Sequence, residues 1–207
     1  MLTTLGGYDA REQENVEYHD ELVQLADSLG LRFATAKNVI TALDTPEDIE
    51  VLFLLSVPSS LKATLLRTAS LLVYTPSNEH FGIVPLEAML AEVPVLASNS
   101  GGPLETVVEG RTGWLRDVED VKTWTAVMNT VLTKLSPQQI KTMGQTGRQR
   151  VESEFSKTKM GKRLDAELHA IVKQPRVQTL ELKQVLFWLF TGLGVLLAIA
   201  IMIILPD

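Results

Sequence analysis

Cysteine is missing from all 207 residues. That absence excludes disulfides, thiolate metal sites and a cysteine nucleophile, and it fits a reducing compartment such as the cytosolic side of a membrane. A basic balance is missing as well. The formal net charge is −6, whereas a nucleic-acid binder carries a clustered positive footprint, so no nucleic-acid partner is expected. Long uncharged runs are scarce, with one exception near the C-terminus. The remainder is ordinary for a globular protein: 45% hydrophobic and 21% charged residues suffice for a core in one domain or two.

Met1 to Leu5 reads as the end of a strand entering Gly6-Gly7, with no secretory leader expected ahead of it. Apolar spacing predicts a helix over Arg11 to Leu29, stopped by Gly30. A short strand at Leu31–Thr35 follows, then a polar loop over Thr41 to Glu50. Val51 to Val57 is nearly all apolar, as a strand buried on both faces must be. Pro58 and two serines lead into a helix near Leu61 to Ser70. Leu71–Thr75 is another strand, Val84 to Ala91 a helix, and Val93–Ala97 a strand. Pro103 opens a helix to about Glu109, and Gly113–Leu115 is a last small strand. Val118 to His169 is helical, with breaks expected at Ser136-Pro137 and around Gly144 to Gly147. Strands alternating with helices imply an α/β fold with a Rossmann-like parallel sheet covered on both faces.

The stretch Ser77 to Glu87 is the centre of this pattern. A strand, a turn containing Gly82 and a helix with Pro85 in its first turn follow one another. In an open parallel sheet such a turn lies at the carboxyl edge, where ligands bind. The free N–H groups of the helix start favour an anion such as a diphosphate. Glu79 before the turn and Glu87 within the helix are placed to hold different parts of one ligand. Taken alone, the same two residues also fit a pair of solvated surface acids. His80 reads as a packing or hydrogen-bonding loop histidine, and Trp114 and Trp124 as packing residues.

Glu79-x7-Glu87 with Phe81-Gly82 between, then Pro94-Val-Leu-Ala97 and Gly101-Gly102-Pro-Leu-Glu105, resembles the donor-binding signature of family 4 retaining glycosyltransferases. Within that family, Gly6-Gly-Tyr-Asp-Ala-Arg11, Glu14-Asn-Val-Glu-Tyr18 and Thr75-Pro-Ser-Asn-Glu-His-Phe-Gly82 look like the members that build dolichol-linked oligosaccharide. The resemblance implies a GT-B fold and transfer of mannose from GDP-mannose, without a metal, to a dolichol-diphosphate-linked glycan at the endoplasmic reticulum. It implies that Glu79 binds the donor sugar as the catalytic carboxylate and that Glu87 binds the ribose. It also brings main-chain groups of Phe81, Gly82, Ile83 and Val84 to the diphosphate and sugar, and the glycines at Gly101 and Gly102 to the sugar. Such enzymes hold two Rossmann-like domains across a cleft, and this chain matches the second, with its first strand and the family's basic Arg/Lys pair expected upstream of Gly6. Two further readings stay open: a membrane-anchored nucleotide-sugar binding module without catalysis, and an inactive remnant.

The exceptional run is Val185 to Leu205, which holds no charged residue. As a helix it covers roughly 30 Å, the thickness of a hydrocarbon core, with Trp188 near one end. A transmembrane helix is expected there. Lys157, Lys159, Lys162, Arg163, Lys173, Arg176 and Lys183 outnumber Asp165, Glu167 and Glu181 before the span, and only Asp207 is charged after it. That asymmetry places the folded domain on the cytosolic side. The expected organisation is therefore a domain over 1–172, a basic linker over 173–184 and a transmembrane helix over 185–205.

Overall fold

The computed structural model describes residues 1–174 and 182–204. Two compact units divide the chain, Met1–Lys159 and Met160–Asp207. In the first unit the strands alternate with helices. Strand β1 (Leu2–Gly6) leads to helix α1 (Gln13–Ser28), strand β2 (Phe33–Ala36), helix α2 (Val39–Leu43) and strand β3 (Val51–Leu55). Helix α3 (Ser59–Thr68), strand β4 (Leu72–Tyr74), helix α4 (Ile83–Leu90) and strand β5 (Val95–Ser98) follow. Helix α5 (Pro103–Thr106), strand β6 (Gly113–Arg116), helix α6 (Val121–Thr133) and helix α7 (Pro137–Glu154) complete the series.

The strands form two three-stranded parallel sheets rather than one, in the orders β1-β3-β2 and β4-β5-β6. Each middle strand explains its own sequence. In β3, Val51 and Phe53 face α1, packing with Ala26, Leu22 and Val23. Leu52 and Leu54 turn the other way, to Ala36, Leu5 and Leu65. Period-two alternation therefore buries both faces, and no polar residue fits. In β5, Val95 and Ala97 join Leu86, Met89, Val107 and Val151, while Leu96 meets Trp124, Val127 and Val131 on the opposite face. Full burial of a leucine such as Leu96 stabilises the fold by about 1.5–3 kcal/mol.

Helix α3 ties the two sheets together. Leu65 packs into the cluster on the first sheet, and its neighbour Leu66 packs into the cluster on the second. Helix α7 supports the second sheet from outside. The break expected at Ser136-Pro137 is present, made by a capping box between Ser136 and Gln139 with Pro137 in the first turn. The break expected at Gly144 to Gly147 is not: α7 runs unbroken through both glycines. Their reason is close packing on α4. A Cβ on Gly144 would stand 1.8 Å from the Glu92 carbonyl oxygen, and one on Gly147 3.1 Å from the Met89 side chain. The break falls instead at Phe155-Ser156, where α7 ends and the next helix begins at Lys157. Two smaller differences occur. The polar segment after Thr41 shares its start with α2, because Asn38 and Thr41 cap each other, and α5 stops at Thr106 so that Val107 can enter the core.

The second unit takes in most of helix α8 (Lys157–Lys173) and helix α9 (Leu182–Ile204). Within α9, Lys183–Ile204 is long and apolar enough to cross a membrane, an 18-residue window of it having a mean hydropathy of 2.6. The expected linker lies outside the described residues over 175–181, as does Leu205.

Gly144→Ala is expected to lower stability by about 1–3 kcal/mol, since backbone must move to admit the methyl group. Gly161→Ala in α8, with nothing within 4 Å of the added atom, is expected to be neutral or to stabilise by about 0.5–1 kcal/mol. Urea midpoints of the full chain in detergent check both.

Candidate active site at the turn between β4 and α4

The turn begins where β4 leaves its sheet and ends at Gly82, which adopts φ 72° and caps α4. That left-handed conformation is open to glycine at little cost and strained for other residues. No side chain caps α4, so its first-turn N–H groups keep their hydrogen-bonding capacity for a ligand. Gly82 is buried, Phe81 and Ile83 are exposed at 43% and 66%, and Val84 is half-buried. Phe81 rests against Phe155 at the end of α7, with ring centroids 6.1 Å apart.

A second loop, after β5, is fastened to this turn along its length. Ser98 donates to the Pro76 carbonyl at 2.5 Å and Ser100 to the Ser77 carbonyl at 2.7 Å. The Gly102 N–H donates to the Glu79 carbonyl at 2.9 Å. The approach is so close that only glycine fits. A Cβ on Gly101 would lie 2.2 Å from the Glu79 carbonyl oxygen, and one on Gly102 1.9 Å from that of Phe81. Gly101 also sits at φ 58°. The family resemblance brings these two glycines to a donor sugar; in the structure they also pack on the backbone of the turn that carries Glu79 and Phe81, and so set its shape.

Neither acid is a free surface carboxylate. Both are half-buried. Glu87 receives two hydrogen bonds from the Lys62 ammonium, at 2.7 and 2.8 Å to its two oxygens. Glu79 accepts one from the Tyr74 hydroxyl at 3.3 Å. Partial burial, and next the Glu79 carboxylate, push the Tyr74 phenol above its ordinary value, so it stays a donor. Lys62 and Tyr74 were not singled out in the sequence. Tyr74 has a local signal, since it ends the strand five residues before Glu79. Lys62 has none, because it lies on α3, 25 residues from Glu87, and only the fold makes them neighbours. His80 is exposed, and Trp124 is buried and donates to the Asp117 carbonyl at 2.7 Å, in keeping with a packing role.

The arrangement offers one ligand three kinds of contact. Carboxylates accept strongly from vicinal hydroxyls, uncapped N–H groups suit phosphate oxygens, and Phe81 and Ile83 give apolar edges. These residues form an open face. Two shallow, open hollows lie elsewhere, one of about 650 Å³ beside Asp117 to Lys122 and one of about 350 Å³ between Arg111 and α7. The first gathers Asp117, Glu119 and Asp120 at the start of α6, but there the Asp120 side chain already accepts from the Thr123 N–H, whereas the start of α4 has no side-chain cap.

Known proteins give the same region a context. The family model described as Glycosyl transferases group 1 matches residues 17–150. The alpha-1,3/1,6-mannosyltransferase alg-2 of Neurospora crassa is 56% identical over 180 residues, covering 86% of this chain and 38% of that protein. The alpha-1,3/1,6-mannosyltransferase alg2 of Schizosaccharomyces pombe is 40% identical over 206 residues, covering 96% of this chain and 40% of that protein. The chain thus spans about two-fifths of the length of these relatives. Among solved structures, a sucrose-phosphate synthase of Thermosynechococcus elongatus superposes with a TM-score of 0.63 at 23% identity, over 83% of this chain and 38% of that one. Anabaena HepE in complex with UDP gives a TM-score of 0.61 at 22% identity, over 77% of this chain and 38% of that one. These two likenesses establish the fold.

The raised Tyr74 phenol has a consequence for stability. The folded state holds that proton more tightly than the unfolded chain, so its contribution is complete below about pH 10. It is lost as pH rises from there through the higher folded value. The urea midpoint of the full chain is therefore expected to fall more between pH 9 and pH 11 than that of Tyr74→Phe; equal falls would count against the Tyr74–Glu79 contact.

Proposed function

Since the chain belongs to the glycosyl transferases group 1 family, we propose that it carries the donor site of a retaining α-1,3/1,6-mannosyltransferase. The donor in this reading is GDP-mannose and the acceptor a dolichol-diphosphate-linked oligosaccharide of N-glycosylation. The single observation that carries it is 56% identity over 180 residues to a mannosyltransferase of that name, a match long enough to include the whole turn. In this reading α9 anchors the protein in the membrane of the endoplasmic reticulum, with the first unit on the cytosolic side.

In this reading the residues take the roles that the family resemblance implies. Glu87, on the second turn of α4, accepts from the ribose hydroxyls. Glu79 accepts from hydroxyls of the mannose and orients its anomeric carbon. The N–H groups of Ile83 and Val84, with the positive end of the α4 dipole, stabilise charge that builds on the departing diphosphate. Gly82 lets the backbone approach that group. Gly101 and Gly102 hold the turn in shape beneath the sugar. The reading needs no metal, because helix N–H groups, together with the basic pair that the resemblance puts upstream of Gly6, take its place at the diphosphate.

A narrower reading is nucleotide-sugar binding without transfer. Both readings require a donor site, and transfer additionally requires turnover. Titration of the full chain in detergent micelles is expected to give saturable binding of GDP and GDP-mannose. Glu87→Ala should weaken GDP about 10- to 100-fold, corresponding to about 1.5–3 kcal/mol for a charged hydrogen bond. Glu79→Ala should leave GDP affinity within about twofold and abolish the preference for GDP-mannose over GDP. Equal loss of GDP affinity in both variants would contradict this division of labour. Mannose transfer to a dolichol-linked acceptor by the unaltered chain would decide for the enzyme over the binding module.

A further inference from the structure

The Lys62–Glu87 ion pair does more than fasten α3 to α4. Building on the donor-site reading, we propose that Lys62 is the positioning residue of the site: it fixes the Glu87 carboxylate and offsets its charge so that a nucleoside diphosphate can bind beside it.

Three observations lead there. The first is the fit. One ammonium serves both Glu87 oxygens, at 2.7 and 2.8 Å, with the two side chains 34% and 30% exposed. An ammonium has three protons and a carboxylate about four acceptor positions. Two of each are used, which leaves Glu87 able to accept from two neighbouring hydroxyls while held in one orientation. A carboxylate free to rotate would lose that entropy each time a ligand bound.

The second is the anchoring of Lys62. It stands three and four residues before Leu65 and Leu66, on the same side of α3. Leu65 packs into the first sheet and Leu66 into the second. The backbone beneath Lys62 is therefore held by both sheets, unlike that of a lysine on a free helix end, whose ion pairs contribute little.

The third is charge. Glu79 and Glu87 bring two negative charges to the helix end that would receive a polyanion. Like charges at this range oppose binding. Lys62 cancels one of them at its source, and Tyr74, on the other acid, is a neutral donor and cancels none. Among the two partners, only Lys62 makes the site electrostatically open to phosphate.

The inference predicts a coupling. In the full chain in detergent micelles, read by titration calorimetry, Lys62→Met should weaken GDP about 10- to 30-fold and guanosine, which lacks phosphate, about threefold or less. Lys62→Arg, which keeps the charge, should stay within about threefold of the unaltered chain for GDP. In a Glu87→Gln background there is no charge to offset, so adding Lys62→Met should change GDP affinity less than twofold. That last comparison holds even if Lys62→Met alone folds poorly, since the double variant leaves no unpaired charge. The inference is overturned if Lys62→Met binds GDP as the unaltered chain does. It is equally overturned if Lys62→Met weakens GDP as much in the Glu87→Gln background as outside it, which would place Lys62 on the phosphates instead of on Glu87. No saturable GDP binding by the unaltered chain would overturn the donor-site reading itself, and this inference with it.

Discussion

Two loops meeting backbone to backbone are the constraint on which the rest of this site depends. The segment after β5 presses Gly101 and Gly102 against the carbonyls of Glu79 and Phe81, so closely that any side chain would collide. Hydrogen bonds from Ser98, Ser100 and the Gly102 amide fasten the contact. Because the contact is made of main chain, it fixes the path of the turn regardless of which way the side chains point. Glu79, Phe81 and Gly82 then have no freedom to drift from the start of α4. A site for phosphate needs that rigidity, since oriented N–H groups stabilise charge only when they need not reorganise.

Around this contact the fold adds support from two sides. Helix α7 backs α4 and α5: Gly144 and Gly147 let it lie against Glu92 and Met89, and Arg150 donates to the carbonyls of Glu105 and Thr106 at 2.7 and 2.9 Å. The same guanidinium sits 5.5 Å from the ring centre of Phe155, which in turn meets Phe81. Helix α3 works from the other side, carrying Lys62 to Glu87 on a backbone gripped by both sheets. Each acid thus has its own partner, a tyrosine for Glu79 and a lysine for Glu87. The two identical carboxylates thus stand in different surroundings, one beside a neutral donor and one beside a charge.

Much of the architecture was legible in the sequence because it depends on local rules. The all-apolar run at Val51–Leu55 could only be a strand covered on both faces, and Ser136-Pro137-Gln-Gln139 wrote a helix start in its own residues. Phe81-Gly82 between Glu79 and Glu87 marked the turn, and Gly82 adopts the conformation for which glycine is needed. The failures share a cause. Gly144 and Gly147 read as a helix break, since glycine weakens an isolated helix, yet they lie mid-helix where another backbone comes close. Gly101 and Gly102 stand against the backbone of the neighbouring loop, a closeness that no local pattern announces. The division into two sheets was not visible either, because strand pairing between distant segments leaves no trace in local periodicity.

By itself, then, the sequence determined the alternation of strands and helices, the apolar C-terminal helix and the turn with its two acids, because each follows from spacing within a few neighbouring residues. Only the tertiary structure decided what surrounds those acids. Lys62 reaches Glu87 from another helix, and the loop of Gly101 closes on Glu79 from another strand, since contacts between segments far apart in the chain are set by packing and not by any pattern the chain carries locally.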